Sequence, residues 1–298
     1  MVKIKNNMSI CIIGAGLSSL TLAKAFVNQN IYVDILVSNK PNKPNTSRTI
    51  GISKNNIEFF NNHIINIEKI IWNLNEIDIF TDNLKKDKLI NFKNKKKTLF
   101  SIIKNNELYK ILEKSLLKNK YFKKVHQSKN LNFINKYDLV INTDHGNLIT
   151  KKFFNKKISK KYNSTAYTSI FKHDKILNNV ATQIFTKNGP LAFLPISNNE
   201  TSIVYSQHNS RKKEKENIED LIRQYNFKYK IQKMQKFQSF ELKSFHLRSY
   251  YQDNILAFGD LLHRIHPLAG QGFNMTIRDI KTLIDIVNKR VNLGLPID

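Results

Sequence analysis

In the run "SICII" at 9–13, Ile10 to Ile13 are apolar without alternation, the pattern of a strand buried on both faces. Leu17, Leu20, Ala23 and Val27 then recur at helical spacing, predicting a helix over 17–29, and "IYVDILV" (31–37) reads as a second strand. A strand, turn, helix and strand in that order begin a doubly wound parallel sheet. A Pro/Asn-rich loop, "NKPNKPNTSRT", leads to a helix starting near Ser53. "EIDIFTD" and "KLINFKN" follow as two antiparallel strands, then a helix at 106–118 and a buried strand in "YDLVINTD" (137–144). From 162 to 206 four strands succeed one another ("STAYTSIFKH", "NVATQIFTKNG", "LAFLPIS", "TSIVYSQ"), as in an antiparallel sheet. A charged helix (216–226) and a strand (237–246) complete that unit. "NILAFGD" (254–260) reads as a buried strand again, and Phe273, Ile277, Ile280, Ile284 and Val287 mark a last helix from 271. The predicted class is α/β: a doubly wound, Rossmann-like domain (1–75, 100–160 and 247–298) with an interleaved antiparallel domain (76–99 and 161–246). The chain stops at "VNLGLPID", soon after that helix, and a further C-terminal piece is expected.

Composition changes this picture little. At 298 residues with 41% hydrophobic content the chain can bury a large core. The net charge of +26 would suit a nucleic-acid binder, but 42 of the 49 cationic residues are lysine, scattered along the chain and accompanied by abundant Asn and Ile. Arginine, the better reader of bases, is scarce, so we expect no nucleic-acid partner. A single cysteine, Cys11, excludes an intrachain disulfide and a cysteine-cluster metal site, which suits a reducing cytoplasm. The N-terminal apolar stretch resembles a secretory signal, yet Gly14 and Gly16 interrupt it and a second strand follows. No stretch is long and apolar enough to span a membrane.

Candidate chemistry lies where glycine is concentrated, since five of only nine glycines fall in two short segments. "GAGLSS" (14–19) is a variant dinucleotide fingerprint. Gly14 permits the tight turn, Gly16 lets backbone approach a pyrophosphate, and Ser19 takes the third glycine's place. The acid that usually binds a ribose hydroxyl at the end of the next strand is replaced by Val37 and Ser38; Ser38 is the candidate substitute. The second segment, "GDLLHRIHPLAGQGFN" (259–274), ends a strand at Gly259 and Asp260, closes a loop at Pro267 and opens a helix at Gly270, Gln271 and Gly272. Asp260 is placed to accept hydrogen bonds from a ribityl or ribose chain, and the helix end suits partial negative charge. His263 and His266 have no ligand cluster around them, so a structural role is expected rather than a metal site.

That second segment resembles the flavin-binding segment of the ubiquinone-biosynthesis hydroxylases, among the aromatic flavoprotein monooxygenases similar to p-hydroxybenzoate hydroxylase, whose usual form is G-D-A-A-H-x-x-H-P-x-A-G-Q-G-x-N. "TSRTIGIS" (46–53), "FSIIKNNEL" (100–108) and "NGPLAFLPI" (188–196) resemble other family segments in order and spacing. The resemblance implies an FAD-binding domain and a substrate domain in the two units above. It implies NAD(P)H- and O2-dependent hydroxylation of a polyprenyl phenol, with no catalytic acid–base residue. Arg48 would approach the flavin, and Asp144, Pro267 and Asn274 would join the cofactor site. The implied surroundings are the cytoplasm, with peripheral contact at the inner face of the membrane and a ubiquinone-synthesis complex. Departures are specific. The usual A-D-G-x-x-S reads "TDHGNL", keeping Asp144 but placing His145 and Leu148 where glycine and serine stand, and Leu261 and Leu262 replace two alanines. The meander before it shrinks to about a dozen residues (124–136). Two alternatives accompany this reading: a degenerate, flavin-free scaffold and another FAD-dependent oxidoreductase. Because His145 fills a glycine position, much of the oxygen is expected to leave as peroxide.

Overall fold

The computed structural model describes residues 8–37, 46–82, 87–94, 98–126, 131–209, 217–264 and 270–297; Ser38, His266 and Pro267 lie outside them, as does the side chain of His263. The elements run β1 (Ser9–Ile13), α1 (Leu17–Val27), β2 (Tyr32–Val37), β3 (Thr49–Ser53), α2 (Lys54–His63), β4 (Ile71–Leu74), β5 (Glu76–Thr81), β6 (Lys88–Lys93), β7 (Phe100–Lys104) and α3 (Asn105–Leu117). Then come β8 (Phe122–His126), β9 (Leu139–Asn142), α4 (Leu148–Phe153), β10 (Lys157–His173), β11 (Val180–Thr186), β12 (Gly189–Pro195) and β13 (Glu200–His208). The last are α5 (Ile218–Tyr225), β14 (Ile231–Met234), β15 (Gln238–Leu247), β16 (Tyr251–Gln252), β17 (Ile255–Ala257), β18 (His263–Arg264) and α6 (Gln271–Asn292).

A six-stranded sheet has the order β16-β17-β9-β1-β2-β8 and is parallel except at β16. Ile10, Ile12, Val33 and Ile35 pack one face against α1, α2, α3 and α6; Cys11, Ile13, Leu36 and Val140 pack the other against Ile149 and Phe154. Burial on both faces is why these strands read as unbroken apolar runs. It also raises the Cys11 thiol's pKa far above its ordinary value, leaving an inert core residue. Helix α1 departs from the expected one-sided stripe: Ser19 to Ala23 and Ala25 to Val27 are all buried, because the sheet, α3 and α6 enclose it. In α6 the expected stripe of Ile277, Ile280, Ile284 and Val287 is buried.

A nine-stranded sheet runs β18-β15-β10-β13-β12-β11-β5-β6, with β14 against β10. It is antiparallel except where β5 lies parallel to β11, Glu76 opposite Val180, a join the strand pattern does not reveal. Three strands too short for periodicity, β3, β7 and β4, form a separate sheet. In place of the expected meander's beginning, β8 extends the parallel sheet beside β2. Among the described residues no helix is long and apolar enough to cross a membrane.

Candidate flavin-binding cleft

From β1 the chain reaches β2 on one side and β9 on the other, so the carboxyl ends of β1 and β9 flank a topological switch point, where open α/β sheets place their ligands. A cleft of about 1740 Å³ opens there. Its walls are the β1–α1 turn, the start of α6, the three-stranded sheet and one face of the nine-stranded sheet, the last supplying Ile77, Ala192, Leu194 and Val204.

Gly14 turns at φ +110, with its N–H donating to Leu36 O at 3.0 Å. A Cβ there would lie 2.6 Å from Thr143 Oγ1, so the turn itself requires glycine. Gly16 is different. Its backbone is ordinary (φ −77, ψ 176) and a Cβ would meet nothing within 4 Å. The protein does not need a glycine there, but a ligand approaching the backbone does. Ser19 is buried and bonded to Thr143 Oγ1 at 2.7 Å, while Thr143 Oγ1 donates to Ile13 O at 2.9 Å. It braces α1 against β9 rather than reaching outwards.

The same division recurs at the second glycine segment. Gly270 sits at φ +65, where a Cβ would lie 3.0 Å from Gly51 N, whereas Gly272 faces open space. Asn274, expected among the cofactor residues, lines the cleft but spends its amide on protein. Its Nδ2 donates to Gly51 O (2.7 Å) and Gly270 O (3.0 Å), and its Oδ1 accepts from Ser53 N (3.0 Å) and Asn56 Nδ2 (2.7 Å). It ties α6 to β3 and α2 and is a positioning residue.

Helix ends at the cleft share a property. The N-termini of α1, α2, α3 and α6 bring Gly16, Ser53, Asn105 and Gly270 to its wall, and none is capped by a side chain. Away from it, α4 and α5 are capped by Asn147, accepting from Thr150 N at 2.8 Å, and Asn217, accepting from Glu219 N at 3.0 Å. Uncapped first-turn N–H groups and four positive dipole ends converge on one space, an environment for an anionic ligand.

Arg48, Asp144, Asp260 and Gln271 also line this space, with Arg48, Asp260 and Gln271 exposed; Gly259 lies just behind, at φ +61 against Ser18. Asp144 Oδ1 accepts from Gly146 N at 3.0 Å, and Asp144 O accepts from Asn147 Nδ2 and Thr150 Oγ1 at 3.0 and 2.6 Å, so this loop is locally cross-braced. His145 is exposed but packs edge-on to Phe245 with ring centroids 5.2 Å apart, and partial desolvation there lowers its pKa below the ordinary histidine value despite the attraction of Asp260. Sequence reasoning did not single out Thr143 and Gly51, although they lie inside quoted segments, nor Asn56, Glu113, Lys124 and His126, whose helices and strands carry no motif.

Residues 147–291 match the family model described as "FAD binding domain". The chain is 34% identical over 115 residues to 3-demethoxyubiquinol 3-hydroxylase of Escherichia coli (strain K12), covering 36% of this chain and 29% of that protein. It is 26% identical over 189 residues to the mitochondrial ubiquinone biosynthesis monooxygenase COQ6 of Drosophila melanogaster, covering 50% and 40%. Over these stretches the chain is similar to FAD-dependent hydroxylases of ubiquinone biosynthesis. The matches span less than half the length of these relatives. The fold agrees: it superposes on PqsL, a probable FAD-dependent monooxygenase from Pseudomonas aeruginosa, with a TM-score of 0.76 at 15% identity, covering 96% of this chain and 87% of that one. Klebsiella pneumoniae HpxO complexed with FAD and uric acid superposes with a TM-score of 0.71 at 13% identity, covering 95% and 80%.

Proposed function

We propose that the protein is an FAD-dependent monooxygenase that hydroxylates the ring of a polyprenyl phenol with NAD(P)H and O2. The observation that carries this is the cleft wall, where two glycines that packing does not require, Gly16 and Gly272, stand at uncapped helix ends. Bound FAD would supply electron transfer from NAD(P)H and the activation of oxygen. The chain's part is to bind, orient and exclude water. The first-turn N–H groups of α1 would hold the cofactor's pyrophosphate. Those of α6, with Gly270 to Gly272, would stabilise negative charge on the cofactor. Arg48, Asp144 and Asp260 complete the polar lining. We read the six-stranded sheet and its helices as the cofactor domain, and 76–99 with 161–246 as the substrate domain.

The substrate class is supported by the far wall. The cleft-facing positions Ile77 and Ala181 continue across the sheet through Ile79 and Phe185 to Ile90 and Phe92 on the edge strand β6. Phe185, Ile90 and Phe92 are 44–49% exposed. An apolar path from cleft to edge suits an isoprenoid tail. Lys88 and Lys93 at that edge are paired with Asp78 and Glu76, so its exposed apolar side chains, rather than charge, are why we take it as the side meeting a membrane surface and synthesis partners. The test is 18O2 incorporation into a prenylated phenol by the purified yellow protein with NADH or NADPH. Label in the product supports the reading. A colourless protein favours the scaffold, and flavin reduction without label favours another oxidoreductase.

A further inference from the structure

Strand β2 ends at Val37 without the acid that dinucleotide sites place there to hold ribose hydroxyls. Its parallel neighbour β8 brings other chemistry to that end of the cleft: His126 stands opposite Val37, and Lys124 opposite Ile35. From α3, which packs over these strands, Glu113 Oε1 accepts from Lys124 Nζ at 2.5 Å. Both side chains are only 30% exposed, and Glu113, Lys124, His126, Tyr109 and Val37 all line the cleft. On α3 the inward positions are otherwise Leu108, Tyr109, Leu112 and Leu116, so Glu113 is the carboxylate this helix contributes to the wall.

We propose that Glu113, oriented by Lys124, replaces the missing acid and accepts hydrogen bonds from the ribose hydroxyls of the cofactor's adenosine half. An ionised carboxylate is acceptor-only and has two oxygens; Lys124 engages Oε1 and leaves Oε2 for the diol. The lysine fixes the carboxylate's rotamer, which is why an ion pair belongs on a cleft wall here. This assignment rests on the flavoprotein reading above. It makes the adenosine end depend on a helix packed over the sheet instead of on the tip of β2.

The experiment measures the affinity of the apo-protein for FAD and for FMN, which lacks the adenosine half, by equilibrium dialysis. Glu113→Gln should weaken FAD binding about tenfold, the scale of one charge-assisted hydrogen bond, and leave FMN unchanged. Lys124→Met should weaken FAD binding by a smaller factor, again without affecting FMN. Unchanged FAD affinity in Glu113→Gln overturns the assignment, as does equal weakening for both flavins, which would mean a general structural effect. A wild-type protein that binds neither flavin overturns the flavoprotein reading and this assignment together.

Discussion

The two glycine turns at the cleft hold helix ends open in different ways. At the first, Gly14 is wedged between Leu36 O and Thr143, and the brace is the parallel sheet itself, with Ser19 and Thr143 closing it from behind. At the second, Gly270 rests on Gly51, and the brace is one side chain, Asn274, reaching the strand β3 and the helix α2. Each turn then has a second glycine, Gly16 or Gly272, where an added Cβ would meet nothing. Three kinds of position therefore lie within a few residues of one another: backbone that must be glycine, a side chain that ties elements together, and backbone with open space beside it.

Substitutions can separate these kinds, taken here in order of the unfolding free energy they remove. Gly14→Val forces a branched side chain into Thr143 at a positive φ. It should cost about 4 kcal/mol and leave little folded protein, measured by urea unfolding. Asn274→Leu removes four hydrogen bonds from one hub and leaves their partners to water. A loss of about 3 kcal/mol is expected, with α6 protected less against hydrogen exchange while α1 is unaffected. Equal loosening of both helices would mean that the turns are braced together.

Gly16→Val should change stability by less than about 1 kcal/mol, since its backbone suits any residue and its space is empty. The purified variant should nevertheless be colourless. Full flavin occupancy in that soluble variant would move the pyrophosphate elsewhere. The smallest effect is at His145. Partial desolvation beside Phe245 makes its imidazole harder to protonate in the folded chain than in the unfolded one, so the unfolded chain binds the extra proton. Stability should therefore fall as pH drops through the ordinary histidine value near 6.5 and level off below the depressed one. His145→Gln should flatten that part of the profile in thermal melts at fixed ionic strength.

Much of the architecture was legible because burial leaves a periodic trace. Residues 10–13 and 139–141 are unbroken apolar runs since the sheet is covered on both faces, and α6 keeps its stripe since one side meets water. The glycine segments were legible for a similar reason, as few other residues can turn at φ +110 or +65. Roles within them were less so. Ser19 and Asn274 occupy motif positions, yet a motif does not say whether a polar side chain faces a ligand or another strand.

What the sequence determined by itself is the order of the longer elements, the two places where backbone must pass closely, and the absence of an acid after β2. These depend on neighbours in the chain. Only the tertiary structure decided that β5 joins β11 in parallel, that Asn274 serves Gly51 and Ser53, and that Glu113 meets Lys124 beside Val37. Those pairings join residues 11 to 223 positions apart, and their partners are chosen by how packed layers bring distant segments together. Side-chain chemistry at the cleft is therefore set by packing, which carries no local period for a sequence to display.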